Sequence, residues 1–233
     1  MFMEMISSPI FWLAAGQIIM IDILLGGDNA ILIGLACRNL PPKQRKWGII
    51  WGTAGAIVLR VILIIFALKL LALPYLKLVG GLLLLWIGVK LLLDEGDSHA
   101  EVKGSDKLLA AIWTIVVADL VMSVDNVLGI ASAAQGANPD HQTFLIIFGL
   151  LVSIPIIVWG SQLVIKLMEK YPVVILLGAA LLGWLAGGMI VTDPALADWF
   201  KTNVPQASLI AGIVCAIGVV AVAKLLSKPQ AKA

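Results

Sequence analysis

Seven apolar stretches, separated by short polar breaks, organise this chain. They run over approximately residues 9–36, 48–69, 75–93, 108–134, 143–166, 172–192 and 207–226. Each is close to the roughly 20 residues that a membrane-spanning helix needs. The runs are continuous, whereas barrel strands would alternate in segments of about 10 residues. The pattern predicts an all-α polytopic membrane protein with seven transmembrane helices. The first and fourth stretches are longer than one crossing requires. Such over-long spans predict a broken or kinked helix in each.

The stretches repeat. Gly52 in the second corresponds to Gly149 in the fifth at an offset of 97, and Gly80 and Trp86 in the third correspond to Gly178 and Trp184 in the sixth at an offset of 98. The chain therefore divides into a first three-helix repeat over 1–95, a second over 106–200 and an extra seventh helix over 207–226. An odd number of spans per repeat reverses the direction of the second copy, giving a 3+3 inverted repeat plus one. In secondary transporters built this way the binding site lies near the midplane, where the repeats meet. The segment 94–107, polar and mixed in charge, is expected to be a flexible link between the copies.

Composition agrees with a bilayer setting. The 233 residues are 61% hydrophobic and 13% charged, against about 45–50% and about 25% in ordinary soluble domains. A net charge of +2 gives no reason to expect a nucleic-acid partner. With the N-terminus outside, the breaks on the inner side hold twelve basic residues, Arg38, Lys43, Arg45, Lys46, Lys90, Lys103, Lys107, Lys166, Lys170, Lys224, Lys228 and Lys232. The outer breaks hold three, Lys69, Lys77 and Lys201. That bias predicts N-out, C-in. Trp12, Trp47, Trp113 and Trp199 fall near span ends, where interfacial anchors belong. The start of the chain lacks a basic n-region, so the first helix is expected to be retained. Cys37 and Cys215 form neither a disulfide framework nor a metal-ligand spacing, and His99 and His141 fall in polar breaks.

Candidate chemistry is concentrated in one duplicated string. Asp22-Ile-Leu-Leu-Gly-Gly-Asp28-Asn29 lies in the first stretch and Asp119-Leu-Val-Met-Ser-Val-Asp125-Asn126 in the fourth. A carboxylate near a bilayer centre costs at least about 2.5–3.5 kcal/mol, so four of them imply a purpose shared by both halves. On a helix, Asp22 and Asn29 share nearly one stripe with Gly26 between them. The Gly26-Gly27 pair can open the backbone and present carbonyl oxygens. The second stripe carries Asp119, Ser123 and Asn126. Together Asp22, Asp28, Asn29, Asp119, Asp125 and Asn126 offer an all-oxygen site for a hard divalent cation such as Mg²⁺, Mn²⁺ or Ca²⁺. Met122 is the one soft donor inside a motif. It either tilts selectivity towards a transition metal or packs against its neighbours. Arg60, well inside the second stretch, either pairs with a motif carboxylate when no metal is bound, repels a cation from a wrong path, or snorkels to a surface. Four close carboxylates cannot all stay charged without a metal, which makes protons natural competitors.

At Asp22-Ile-Leu-Leu-Gly-Gly-Asp28-Asn29-Ala and Ala118-Asp119-Leu-Val-Met-Ser-Val-Asp125-Asn126-Val the chain resembles the TerC family of integral membrane proteins, in its small bacterial form without appended domains. The resemblance implies a LysE-like transporter of the bacterial inner membrane, linked to Mn²⁺ efflux, with the six motif residues as its metal set. It implies no prosthetic group. The expected partners are the divalent cation, protons and the lipid bilayer. The motifs differ, since Gly26-Gly27 stands where the second copy has Ser123-Val124, so the half-sites need not bind alike. No nucleotide-binding G-x4-G-K-[ST] string is present to supply ATP energy. An intramembrane aspartyl protease is the enzyme alternative, on the strength of Gly-Gly-Asp28 and a pair of membrane aspartates sharing a proton. A metal-binding or assembly factor for secreted proteins is the third reading. Tight coordination argues against a rapidly conducting channel.

Overall fold

A computed structural model describes residues 9–71, 73–93, 104–134 and 142–227 of the chain. Among them are nine helices: α1 (Pro9–Leu25), α2 (Gly27–Cys37), α3 (Pro42–Leu71), α4 (Leu76–Leu93), α5 (Gly104–Ala134), α6 (Gln142–Lys170), α7 (Val173–Val191), α8 (Ala197–Asn203) and α9 (Ala207–Leu226). Six carry segments long and apolar enough to cross a membrane, namely Pro42–Leu63, Leu76–Leu93, Asp106–Val124, Phe144–Lys170, Val173–Val191 and Ala207–Leu226. The protein is all-helical and multi-pass. Its eight tryptophans are all exposed, from 39% at Trp184 to 70% at Trp113, so the bulkiest amphipathic side chains face outwards. The expected loop lies outside the described residues over 94–103, and so do the histidines His99 and His141. The last four residues of that segment begin α5.

The first stretch, read as one long span, is two shorter helices. α1 has 17 residues and α2 has 11, and Gly26 separates them with φ −100° and ψ 0°. In the fourth stretch, where a break or a kink was expected, α5 is one continuous helix of 31 residues, so there is no break. Ser123-Val124 replaces Gly26-Gly27, so the second copy lacks the pair that lets the backbone open at low cost.

The helices pair across the repeats more than within them. α3 packs chiefly on α5, α1 and α2 pack on α6, and α4 packs on α7. Gly52 faces Ile115, Gly55 faces Val116, and Arg60 reaches Asp119 and Ser123, so α3 and α5 run parallel. Gly149 meets Ile18, Gly160 meets Ala30 and Val164 meets Gly34, so α6 runs parallel to α1 and α2. Gly80 meets Met189 while Gly88 meets Ala179, which makes α4 and α7 antiparallel. Two of these contacts are copies of each other. A Cβ at Gly52 would lie 2.6 Å from Ile115, and one at Gly149 would lie 2.5 Å from Ile18. Both partners sit 97 positions apart. Glycine at each place lets the backbones approach closely.

The extra helix α9 packs on α7 and, less extensively, on α4. The glycines of the third and sixth stretches serve this tight packing. A Cβ at Gly81 would lie 2.8 Å from the Ala186 carbonyl oxygen, and one at Gly183 would lie 2.6 Å from that of Cys215.

Polar side chains fasten the helix ends. Arg38, buried at the end of α2, donates to the Leu91 carbonyl in the last turn of α4 at 2.8 Å. A cation there complements the negative end of the α4 dipole. Arg45 donates to the Arg38 carbonyl at 2.8 Å and to Glu169 of α6 at 2.6 Å. At the opposite end of α4, fully buried Asp193 accepts from the backbone N–H groups of Tyr75 (2.9 Å), Leu78 (3.1 Å) and Ala195 (2.8 Å). Burial pushes this carboxyl up, but the N–H groups of Tyr75, Ala195, Leu78 and Lys77 together outweigh it and hold the group below the ordinary value of 3.8. Asp193 therefore links the end of α7 to the start of α4. Tyr75 takes the left-handed φ of 69° at this junction, a conformation that costs a non-glycine residue about 1–2 kcal/mol.

Candidate metal site

The two motif-bearing spans touch, because α1 and α2 both pack on α5. The backbones of Asp22 and Asp125 are helical, in α1 and α5. Their side chains lie outside the described residues. Among the described residues no three His, Cys, Asp or Glu side chains gather into one cluster.

The first half-site is built on the helix break. α2 starts at Gly27, so its first N–H groups have no preceding turn to bond to, and the last carbonyls of α1 lose their following turn. Asp28 sits in the first turn of α2, half-buried, and its Oδ1 accepts from the Asn29 backbone N–H at 2.8 Å. A carboxylate suits this positive helix end. Asn29 is 3% exposed, and both its amide nitrogen and its amide oxygen lack a hydrogen-bond partner among the described residues. Burying such a group unpaired costs about 1–3 kcal/mol. Gly26 is buried, whereas Gly27 is exposed and a Cβ there would meet no atom within 4 Å. Open space thus adjoins the break. Contacts of α6 with Ile18 and Ala30 at Gly149 and Gly160 put Pro155 at about the level of Gly26. Pro155 lacks the N–H that would close its own turn, so α6 is weakened at about the depth of the α1–α2 break.

The second half-site is organised differently. Arg60, 2% exposed, enters it from α3. Its Nη2 donates to Asp119 Oδ1 at 2.6 Å and its Nε donates to Ser123 Oγ at 3.0 Å. The Ser123 hydroxyl donates in turn to Asp119 Oδ2 at 3.0 Å. Asp119 is 4% exposed and Ser123 is fully buried, so the three form a desolvated triangle. Of the three expectations for Arg60, pairing with a motif carboxylate is the one the geometry bears out. Snorkelling is excluded by its burial. Met122 is 5% exposed and packs in the main hydrophobic cluster with Leu32, Ala118 and Val121. That corresponds to its packing role. Asn126 is half-buried on the same helix. Asp28 lies within electrostatic reach of both Asp119 and Arg60, which brings the half-sites into one neighbourhood.

Two features escaped the sequence reading. Thr53, seven residues before Arg60 on the same stripe of α3, has a buried hydroxyl with no partner among the described residues. The seven-residue spacing was a usable signal. Asp193 carried no comparable signal, since the partners that tie it to α4, Tyr75 and Leu78, lie more than a hundred positions away. A cavity of about 290 Å³ opens between Arg45 and Lys46 of α3 and Gln162, Lys166 and Glu169 of α6. It touches no motif residue.

Comparison with known proteins places the sequence among membrane proteins. The pattern of the family described as "Integral membrane protein TerC family" matches residues 7–231. The chain is 45% identical over 179 residues to the uncharacterized membrane protein YjbE of Bacillus subtilis, covering 77% of this chain and 79% of that one. It is 27% identical over 218 residues to the inner membrane protein YgdQ of Escherichia coli K12, covering 86% and 87%. No solved structure matches the chain.

Proposed function

The chain belongs to the TerC family of integral membrane proteins, and from that premise we propose that it is a secondary exporter of a divalent metal cation, Mn²⁺ foremost, driven by proton exchange. The observation that carries this reading is Asn29. Its buried carboxamide has no partner among the described residues and stands beside Asp28 at a helix break, which is the local chemistry a hard cation would complete. A cation there would take oxygens from Asp22, Asp28 and Asn29, carbonyls at the end of α1, and Asp119, Asp125 and Asn126 of the facing span. These are oxygen donors of the kind Mn²⁺, Mg²⁺ and Ca²⁺ accept. The preference for Mn²⁺ rests on the family resemblance.

Proton coupling follows from the energetics. Exporting a dication against an inside-negative potential costs about 4.6 kcal/mol per 100 mV, twice the single-charge value. Carboxylates that lose a cation in a low dielectric recruit protons. The paired Gly52–Ile115 and Gly149–Ile18 contacts favour a 3+3 inverted repeat, in which one copy rocks against the other around the site. We read the chain as N-out and C-in, in the bacterial inner membrane where its relative YgdQ is named. We read it as a carrier and not an enzyme. The protease alternative needs two aspartates sharing a proton, whereas Asp119 has Arg60 as its partner.

The test is Mn²⁺ efflux from loaded cells or proteoliposomes carrying wild type, Asp22→Asn or Asp125→Asn. Both variants should lose most of the efflux. Wild-type rates in both would sink the site assignment.

A further inference from the structure

The two half-sites are copies in sequence, yet a cation already occupies one of them. The guanidinium of Arg60 takes Asp119 Oδ1 directly at 2.6 Å, and Ser123, which accepts from Arg60 Nε, takes Oδ2 at 3.0 Å. Both carboxylate oxygens are therefore engaged. The triangle lies inside two candidate spans, Pro42–Leu63 and Asp106–Val124, where water cannot screen it. The position 97 residues after Arg60 is Ile157, and Gly26 stands where the second copy has Ser123. The first copy can build no such triangle. Its half-site instead keeps an Asn29 carboxamide with no partner among the described residues, and a broken helix.

We propose that Arg60 is a tethered competitor for the transported cation. It fills the Asp119–Ser123 half-site when the carrier is empty, and it must leave before the cation can take the Asp119 carboxylate. This rests on the reading of the motifs as a cation site. Three physical points support it. A guanidinium offers directional donors to a carboxylate and stays protonated at all relevant pH values, so it can replace a metal's charge permanently. An empty carrier with bare carboxylates would be costly to carry through a low-dielectric transition, and Arg60 supplies a positive charge at that stage. Asp28 is within electrostatic reach of both Arg60 and Asp119, so a dication arriving at the first half-site repels the guanidinium while attracting its counter-ion. The pseudo-symmetric fold thus binds one cation per cycle, with the second half-site acting as the latch.

A competitor that must depart weakens apparent affinity by the fraction of carriers in which it has departed. The experiment is calorimetric Mn²⁺ titration of the purified full chain as wild type, Arg60→Gln, Arg60→Lys and Arg60→Gln/Asp119→Asn. Arg60→Gln should tighten binding about tenfold or more, matching a competent fraction of one in ten or less. Arg60→Lys, a compact ammonium without the planar fork, should fall between wild type and Arg60→Gln. The double variant should bind more weakly than Arg60→Gln, because a ligand has gone with the competitor. Unchanged or weaker binding in Arg60→Gln overturns the inference and leaves the cation site standing. Should Arg60→Gln fail to fold, Arg60→Lys decides: binding no tighter than wild type overturns it. Absence of Mn²⁺ binding in every protein, wild type included, overturns the inference and the cation reading together.

Discussion

Substitution of the two repeat-related glycines provides a sharp test of the packing between the copies. A methyl at Gly52 would lie 2.6 Å from Ile115 Cδ1, 3.1 Å from Cγ2 and 3.2 Å from Cβ. Carbon atoms rest at about 3.5–4.0 Å, so nearly an ångström must be recovered between α3 and α5. Ile115 is fully buried and has no free direction to turn. Overpacking of this kind costs about 1–3 kcal/mol. Ile115→Val deletes Cδ1, the nearest atom, at a cost of about 0.5–1.5 kcal/mol on its own. Gly52→Ala/Ile115→Val should therefore be little worse than Ile115→Val, with a favourable coupling of about 1 kcal/mol or more. The related pair should behave differently. At Gly149 the nearest atom is Ile18 Cγ2 at 2.5 Å, and valine keeps that methyl. Gly149→Ala/Ile18→Val should show coupling below about 0.5 kcal/mol. Unfolding free energies of both double-mutant cycles in mixed micelles measure the difference. Equal coupling in the two cycles, or a Gly52→Ala variant as stable as wild type, would refute the reasoning.

Two further outcomes are expected. Asn29→Leu should stabilise the metal-free protein by about 1–3 kcal/mol, since it removes a buried amide with no partner among the described residues, and should abolish the rise in unfolding midpoint on adding Mn²⁺. Destabilisation of the metal-free form in thermal melts would contradict the orphaned state of that side chain. Asp193→Asn should cost about 0.5–2 kcal/mol at neutral pH, the range for losing a helix cap. Because the folded Asp193 carboxyl is held below 3.8, its contribution is complete above that value and is lost as pH falls through the lower folded one. The gap between wild type and variant should close in strong acid, and a pH-independent gap in acid-unfolding curves would count against the assigned role.

Gly26 shows how much of the site was legible in advance. The break between α1 and α2 falls at Gly26, as the local glycine pair predicted. For α5 a break or a kink was expected from its excess length and its glycine, and α5 is continuous. Length reports how much helix the bilayer tolerates, whereas a break also needs a backbone that opens cheaply. Asp119 and Ser123 were visible as one stripe of a helix. That the stripe would meet Arg60 was only one of three options, because the answer depended on which faces of α3 and α5 met.

The sequence by itself determined the apolar spans, the duplicated D-x5-D-N strings and the pairing of the copies. These follow from periodicity, composition and transfer energy, which act on each segment locally. Only the tertiary structure decided that Arg60 pairs with the aspartate of one motif, Asp119. Arg60 and Asp119 are 59 positions apart, and no local rule joins them. Their pairing depends on the parallel seating of α3 against α5, where Gly52 and Gly55 let the helices close. A buried charge must find its counter-charge wherever packing brings one within reach, and packing is a property of the whole fold.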